Sequence, residues 1–158
     1  MSVVPGAPQD LLLTLLQRFA QEGVEYVLIG GQAVRLNGFV RATEDVDVLL
    51  KPGRANGEKV IRALDFLPSS AELDVAWFEP AADGQIDNIR VADVLLVDLL
   101  FAANGQTYES LQAHVNRLDI EGVSVTLLNI DGLLKSKTDY REKDVLDKLM
   151  LRRLRDQL

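Results

Sequence analysis

The chain has 158 residues, 47% of them apolar and 26% charged, with a formal net charge of −7, which fits one ordinary folded domain. Cysteine is absent and His114 is the single histidine. This excludes disulfides, thiolate zinc sites and cysteine nucleophiles, and leaves oxygen ligands, suited to Mg²⁺ or Mn²⁺, for any metal.

A surface of this charge does not draw nucleic acid by long-range attraction, although it permits a local basic patch. No apolar run is long enough to predict a membrane span. Residues 1–10 lack the pattern of a secretory signal, so a cytoplasmic location is expected.

Residues 8–22 place Leu12, Leu15, Leu16, Phe19 and Ala20 at the spacing of an amphipathic helix, which Gly23 ends. Residues 25–29 predict a short buried strand. Gly30 and Gly31 then break the chain, residues 32–37 predict a short helix, and Gly38 closes it. Residues 46–50 predict a second strand, stopped by Pro52-Gly53. Residues 58–66 predict a helix with Val60, Ile61, Leu64 and Leu67 on one side.

Residues 69–88 give no clear pattern, and 75–78 suit either a strand or a helix. Two strands, 89–92 and 95–101, flank a turn at Asp93. Residues 107–117 predict a helix that carries His114, whose expected role is that of a surface or half-buried side chain. Residues 123–128 alternate as a strand. Residues 131–154 predict one or two helices, with Leu133, Leu134, Val145, Leu146, Leu149, Met150 and Leu154 as core. The order of elements suggests an α/β or α+β domain, a mixed sheet flanked by helices.

The informative segment runs from Val27 to Leu50. On a strand, residues two apart share a face, so Asp45 and Asp47 sit side by side while Val46 faces the core. Two such carboxylates repel each other unless a cation lies between them; exposed acids at a sheet edge are the plainer alternative. Gly30-Gly31 allows close approach of a ligand to the backbone, and the helix start behind it favours a phosphate; a simple tight turn is the alternative. Asp98 lies within an apolar strand, where burial demands a partner. That partner is either a metal or a basic side chain.

An apolar strand, Gly-Gly, a short helix, Asp-x-Asp and a later lone Asp in a strand together resemble the signature of the nucleotidyltransferase superfamily related to DNA polymerase beta. The resemblance covers roughly residues 24–150. It implies that Asp45, Asp47 and Asp98 hold two Mg²⁺ ions, that Asp98 is the candidate general base, and that Gly30, Gly31 and Gln32 form the phosphate-contacting turn. Gln32 departs from the serine that many members carry there.

Arg41 and Thr43, ahead of the acid pair, match the Arg-x-Thr-x-Asp-x-Asp form of small bacterial members, including abortive-infection AbiEii-type toxins. So does the ending Lys137…Arg141-Glu142-Lys143-Asp144, with Lys137, Arg141 and Asp144 expected on one helical face. By resemblance Lys137, with Arg141 or Lys143, meets the triphosphate, whereas a solvated face with salt bridges is the plainer reading of Lys143.

The implied activity is Mg²⁺-dependent transfer of NMP from an NTP, ATP among them, to a hydroxyl acceptor: a tRNA end, a protein hydroxyl or a small molecule. The alternative is a non-catalytic nucleotide- or partner-binding module, one component of a toxin–antitoxin type pair.

Overall fold

The computed structural model describes residues 11–37, 45–137 and 141–157, apart from the side chains of Glu142 and Lys143. Gly38, Arg41 and Thr43 lie outside the described residues. Helix α1, Leu11–Glu22, buries Leu13, Leu15, Leu16 and Phe19. It ends as the sequence predicts: Gly23 takes φ +69°, and the Val24 N–H donates back to Phe19 O at 3.0 Å.

Strand β1, Tyr26–Ile29, is buried at all four positions. Helix α2, Gly30–Leu36, follows without a spacer, so both glycines are the first residues of the helix rather than a break ahead of it. β2, Asp45–Leu50, runs antiparallel to β1. Buried Asn56 ties the two strands together: its amide donates to Glu25 O at 2.9 Å and Lys51 O at 2.8 Å, and its carbonyl accepts from Glu25 N.

Helix α3 spans Arg54–Ala63, starting and ending earlier than expected, and Leu64 and Leu67 complete its apolar side from the turns that follow. The unreadable region holds two 3₁₀ turns, Pro68–Glu72 and Val75–Phe78. β3, Ile89–Ala92, and β4, Leu96–Leu100, form the expected hairpin. Asp93 secures its turn by accepting from Ser69 N at 2.8 Å and Val94 N at 2.7 Å, and these donors, Ser69 first, hold its carboxyl below the ordinary value.

The helix expected over 107–117 is not formed. Local turns fill 107–114, with a 3₁₀ turn at Gln112–His114, and β5, Val115–Ile120, begins inside the expected helix. β5 pairs antiparallel with β6, Val123–Leu128, over all six residues. This long-range ladder overrides the helical spacing of Leu111 and Val115.

Two helices close the chain: α4, Ile130–Ser136, and α5, Glu142–Asp156. Val145, Leu146 and Leu149, expected in the core, are instead exposed. The inward face of α5 carries Asp144, Asp147, Lys148 and Leu151, because Lys137 is buried with them and needs a counter-charge.

The six strands make one mixed sheet, ordered β3-β4-β2-β1-β6-β5. β1 lies near the middle and is covered on both faces, consistent with its unbroken apolar run. α1 packs against α3 and β6, while α2 packs against β1, β2 and α4. The result is an α+β fold, a mixed sheet flanked by helices. No helix among the described residues is long and apolar enough to cross a membrane.

Candidate functional site

β2 and β4 are parallel neighbours, with Asp45 opposite Leu96 and Asp47 opposite Asp98. The pleat sets Asp45 and Asp47 on one face and buries Val46 completely. Register therefore brings all three predicted acids to one patch of the sheet, and Asp47 lies within hydrogen-bond reach of Asp98.

β3 adds a residue that the sequence reading missed. Arg90 stands opposite Asp98 in the hairpin. Its Nε donates to Asp98 Oδ1 at 2.8 Å and its Nη2 to Asp98 Oδ2 at 3.1 Å, the forked geometry of a strong arginine–carboxylate pair. The same Nη2 donates to Asp45 Oδ2 at 3.1 Å. The partner demanded by Asp98 is thus an arginine here. The Arg90 hydrogen bonds pull the Asp98 carboxyl below the ordinary carboxylate value, against the opposing effect of burial. In turn Asp98 holds the guanidinium protonated, above its own usual value.

As the side chains stand, no three His, Asp or Glu groups among the described residues are gathered closely enough to hold a metal ion. Arg90 bridges Asp45 and Asp98 instead. The donor types nevertheless suit a hard divalent cation: three carboxylates on adjacent strands, two of them bridged by one positive charge that a cation can replace.

Gly30 fits against this patch. A Cβ at that position would fall on the Asp47 carboxylate and lie 2.9 Å from both Cβ and Cγ of Asp47, and φ there is +68°. Only glycine meets both demands.

Beside Asp47 opens a cavity of about 310 Å³, at the small end of ligand sites. Gly30, Gly31, Asp47, Lys137, Arg141 and Asp144 line it, together with Asn88 and Asn104. Residues predicted from distant segments therefore converge. Lys137 and Arg141 do so from the end of α4 and the start of α5, not from one helical face as expected. Lys137 is buried, its Nζ 3.0 Å from Asp147 Oδ2, and Arg141 reaches to 4.0 Å from Asp144 Oδ2.

Asp45 and Asp98 do not line this cavity; both are paired with Arg90, which does not line it either. Gln32 does not line it either, because Arg35 one turn on donates to its Oε1 at 3.0 and 3.2 Å. Asn104, also missed, takes φ +51° and donates to Lys135 O and Lys137 O, fixing the end of α4. Its Asn-Gly dipeptide was a turn signal available in the sequence.

Among solved structures, the chain is similar to the crystal structure of an antigenic nucleotidyltransferase-like protein from Paracoccidioides brasiliensis. The TM-score is 0.51, covering 91% of this chain and 75% of that one, at 17% sequence identity. The fold is nucleotidyltransferase-like. At that identity the likeness is one of fold alone. No protein-family model and no curated protein matches the chain.

Proposed function

We propose that the chain is a Mg²⁺-dependent nucleotidyltransferase that moves NMP from an NTP to a hydroxyl acceptor. The observation that supports it best is the in-register meeting of Asp45, Asp47 and Asp98 beside a cavity walled by Gly30, Gly31, Lys137 and Arg141.

In this reading the triphosphate enters the cavity. Lys137 and Arg141 neutralise its oxygens, and the backbone at Gly30 and Gly31 comes close to them. The Asp147 carboxylate, 3.0 Å from the Lys137 ammonium, holds that charge in place at the cavity's edge until the triphosphate shares it. Asp45, Asp47 and Asp98 would hold Mg²⁺ (or Mn²⁺), which when bound neutralises triphosphate charge and favours the ionised form of the acceptor hydroxyl.

The acceptor oxygen bonds to the α-phosphorus as the bond to the bridging α–β oxygen breaks and pyrophosphate leaves. Asp98 takes the hydroxyl proton. Arg90 now occupies both Asp98 oxygens, so in this reading it gives way before Asp98 takes up a cation or a proton.

A second reading is favoured by Arg90 itself. An acid patch already neutralised by an arginine suits a non-catalytic nucleotide- or partner-binding module, such as one component of a toxin–antitoxin type pair.

Thermal unfolding with each of the four NTPs, with and without Mg²⁺, tests both. A ligand at a hundred times its Kd adds about 2.7 kcal/mol, which for a domain of this size is a rise in Tm of roughly 5–10 °C. The rise should require Mg²⁺ and NTP together and vanish in Asp47→Asn. Binding without any NTP turnover favours the second reading. A shift that survives in Asp47→Asn removes the site assignment.

A further inference from the structure

Arg90 also lines a second groove, of about 460 Å³, which none of the three acids lines. It runs between the 3₁₀ turn Val75–Phe78 and the edge strand β3, and is lined by Trp77, Glu79, Ile86, Asp87, Ile89 and Arg90. Asn88 lines both this groove and the cavity beside Asp47, so the two spaces share a wall. Arg90 connects the groove to the acids: it lines the groove, and its guanidinium binds Asp98 and Asp45.

Two features mark the groove as built to receive a ligand. Trp77 is 48% exposed although the adjacent Phe78 is fully buried. Phe78 packs edge-on against Phe101 at a centroid distance of 6.0 Å and anchors the turn, so the indole is offered outward from a fixed base. The Ile86 and Ile89 side chains, both half-buried, supply apolar surface on the same groove.

The charge leans the same way. Asp87 borders the groove with no basic side chain paired to it among the groove's own lining residues, Glu79 borders it with Arg54 3.7 Å away, and the one cation among the lining residues, Arg90, is engaged by two carboxylates. A phosphodiester or carboxylate brought here meets net repulsion, whereas a neutral or cationic molecule does not.

We infer that this groove is the acceptor site, and that the acceptor is a small hydroxyl compound with a flat or apolar face and no negative charge, an amine-bearing one above all. The inference rests on nucleotidyl transfer at the acid patch, since only then does the position next to Asp98 matter. An aromatic face stacks on Trp77, an amine meets Asp87, and the hydroxyl lies toward Arg90 and the acids it binds.

Trp77 is the single tryptophan of the chain, so its fluorescence reports occupancy without any turnover. The full chain is titrated to 10 mM, a ceiling chosen to catch the ~mM affinities of small fragments, with three probes of one shape: tyramine (cationic), tyrosol (neutral) and 4-hydroxyphenylacetate (anionic). A short RNA ending in CCA is the fourth probe.

Tyramine should change the emission with the lowest Kd, about fivefold below that of tyrosol, as expected for one unit of charge near a solvated carboxylate. The anion and the RNA should leave the emission unchanged. Asp87→Asn should remove the preference for tyramine over tyrosol while keeping both responses, a result that a folding defect would not produce. No response to tyramine and tyrosol overturns the inference, as does a stronger response to the anion or to RNA. Nucleotide-dependent stabilisation measured on the same sample separates the two failures. If Mg²⁺ and NTP raise Tm while Trp77 stays silent, the acceptor assignment falls and nucleotidyl transfer stands; if neither ligand is seen, both fall.

Discussion

At the scale of single residues, two positions decide whether the acid patch can exist. Arg90 offsets the repulsion within the acid patch by pairing with Asp45 and Asp98. Arg90→Ala should therefore lower Tm in metal-free buffer at low ionic strength, and millimolar Mg²⁺ should restore it, with a larger Mg²⁺ response than in wild type. A variant blind to Mg²⁺ would mean the acids do not share a cation. Gly30 carries the second demand. Gly30→Ala combines a left-handed backbone with a clash on Asp47 and should cost about 2–5 kcal/mol. Gly23→Ala, at φ +69° with nothing within 4 Å of the added carbon, should cost only about 1–2 kcal/mol. Urea unfolding of the pair isolates the contact from the conformational strain; equal losses would show that Asp47 has room to move.

At the scale of elements, legibility followed how local the cause was. α1, β1 and the β3–β4 hairpin were readable because apolar spacing, Gly23 and the turn at Asp93 act within a few residues. The same hairpin contained the clue to Arg90: a turn at Asp93 that pairs Ala92 with Leu96 must also pair Arg90 with Asp98. The segment 107–117 was misread because β6, supplied later in the chain, captures Val115–Ile120. α5 was misread for a different reason: its buried face is ionic. Lys137 and Asp147 are each only 7% exposed and sit 3.0 Å apart. Breaking such a pair strands a buried charge, so Asp147→Asn should destabilise by about 3–5 kcal/mol. The double variant Lys137→Met/Asp147→Leu should recover most of that loss, since an apolar pair of similar size has no charge to desolvate. Equal stability of the single and double variants would show that Asp147 supports α5 by other contacts.

At the scale of the whole molecule, the acids and glycines of the candidate site were legible in the sequence, but the way the cavity closes was not. Asp45, Asp47 and Asp98 lie within 54 residues of one another on strands that its periodicity reveals, whereas Lys137 and Arg141 reach Gly30 only because β6 lies parallel to β1 and carries α4 back across the sheet. That topology makes the cavity a junction of α2, β2, the segment after β4, the end of α4 and the start of α5. A ligand that fills a junction of this kind cannot stabilise one wall alone: each wall must be folded for the site to exist, so binding free energy adds to the global unfolding step. Hydrogen exchange with Mg²⁺ and NTP should therefore slow together in β1, β2, β4 and α4, by up to about a hundredfold at a hundred times the Kd, while β5 on the opposite sheet edge slows only as far as it shares global unfolding. Protection confined to α4 and α5 would place the nucleotide on the basic segment by itself, away from the acids, and would leave Asp45, Asp47 and Asp98 as a structural patch held by Arg90.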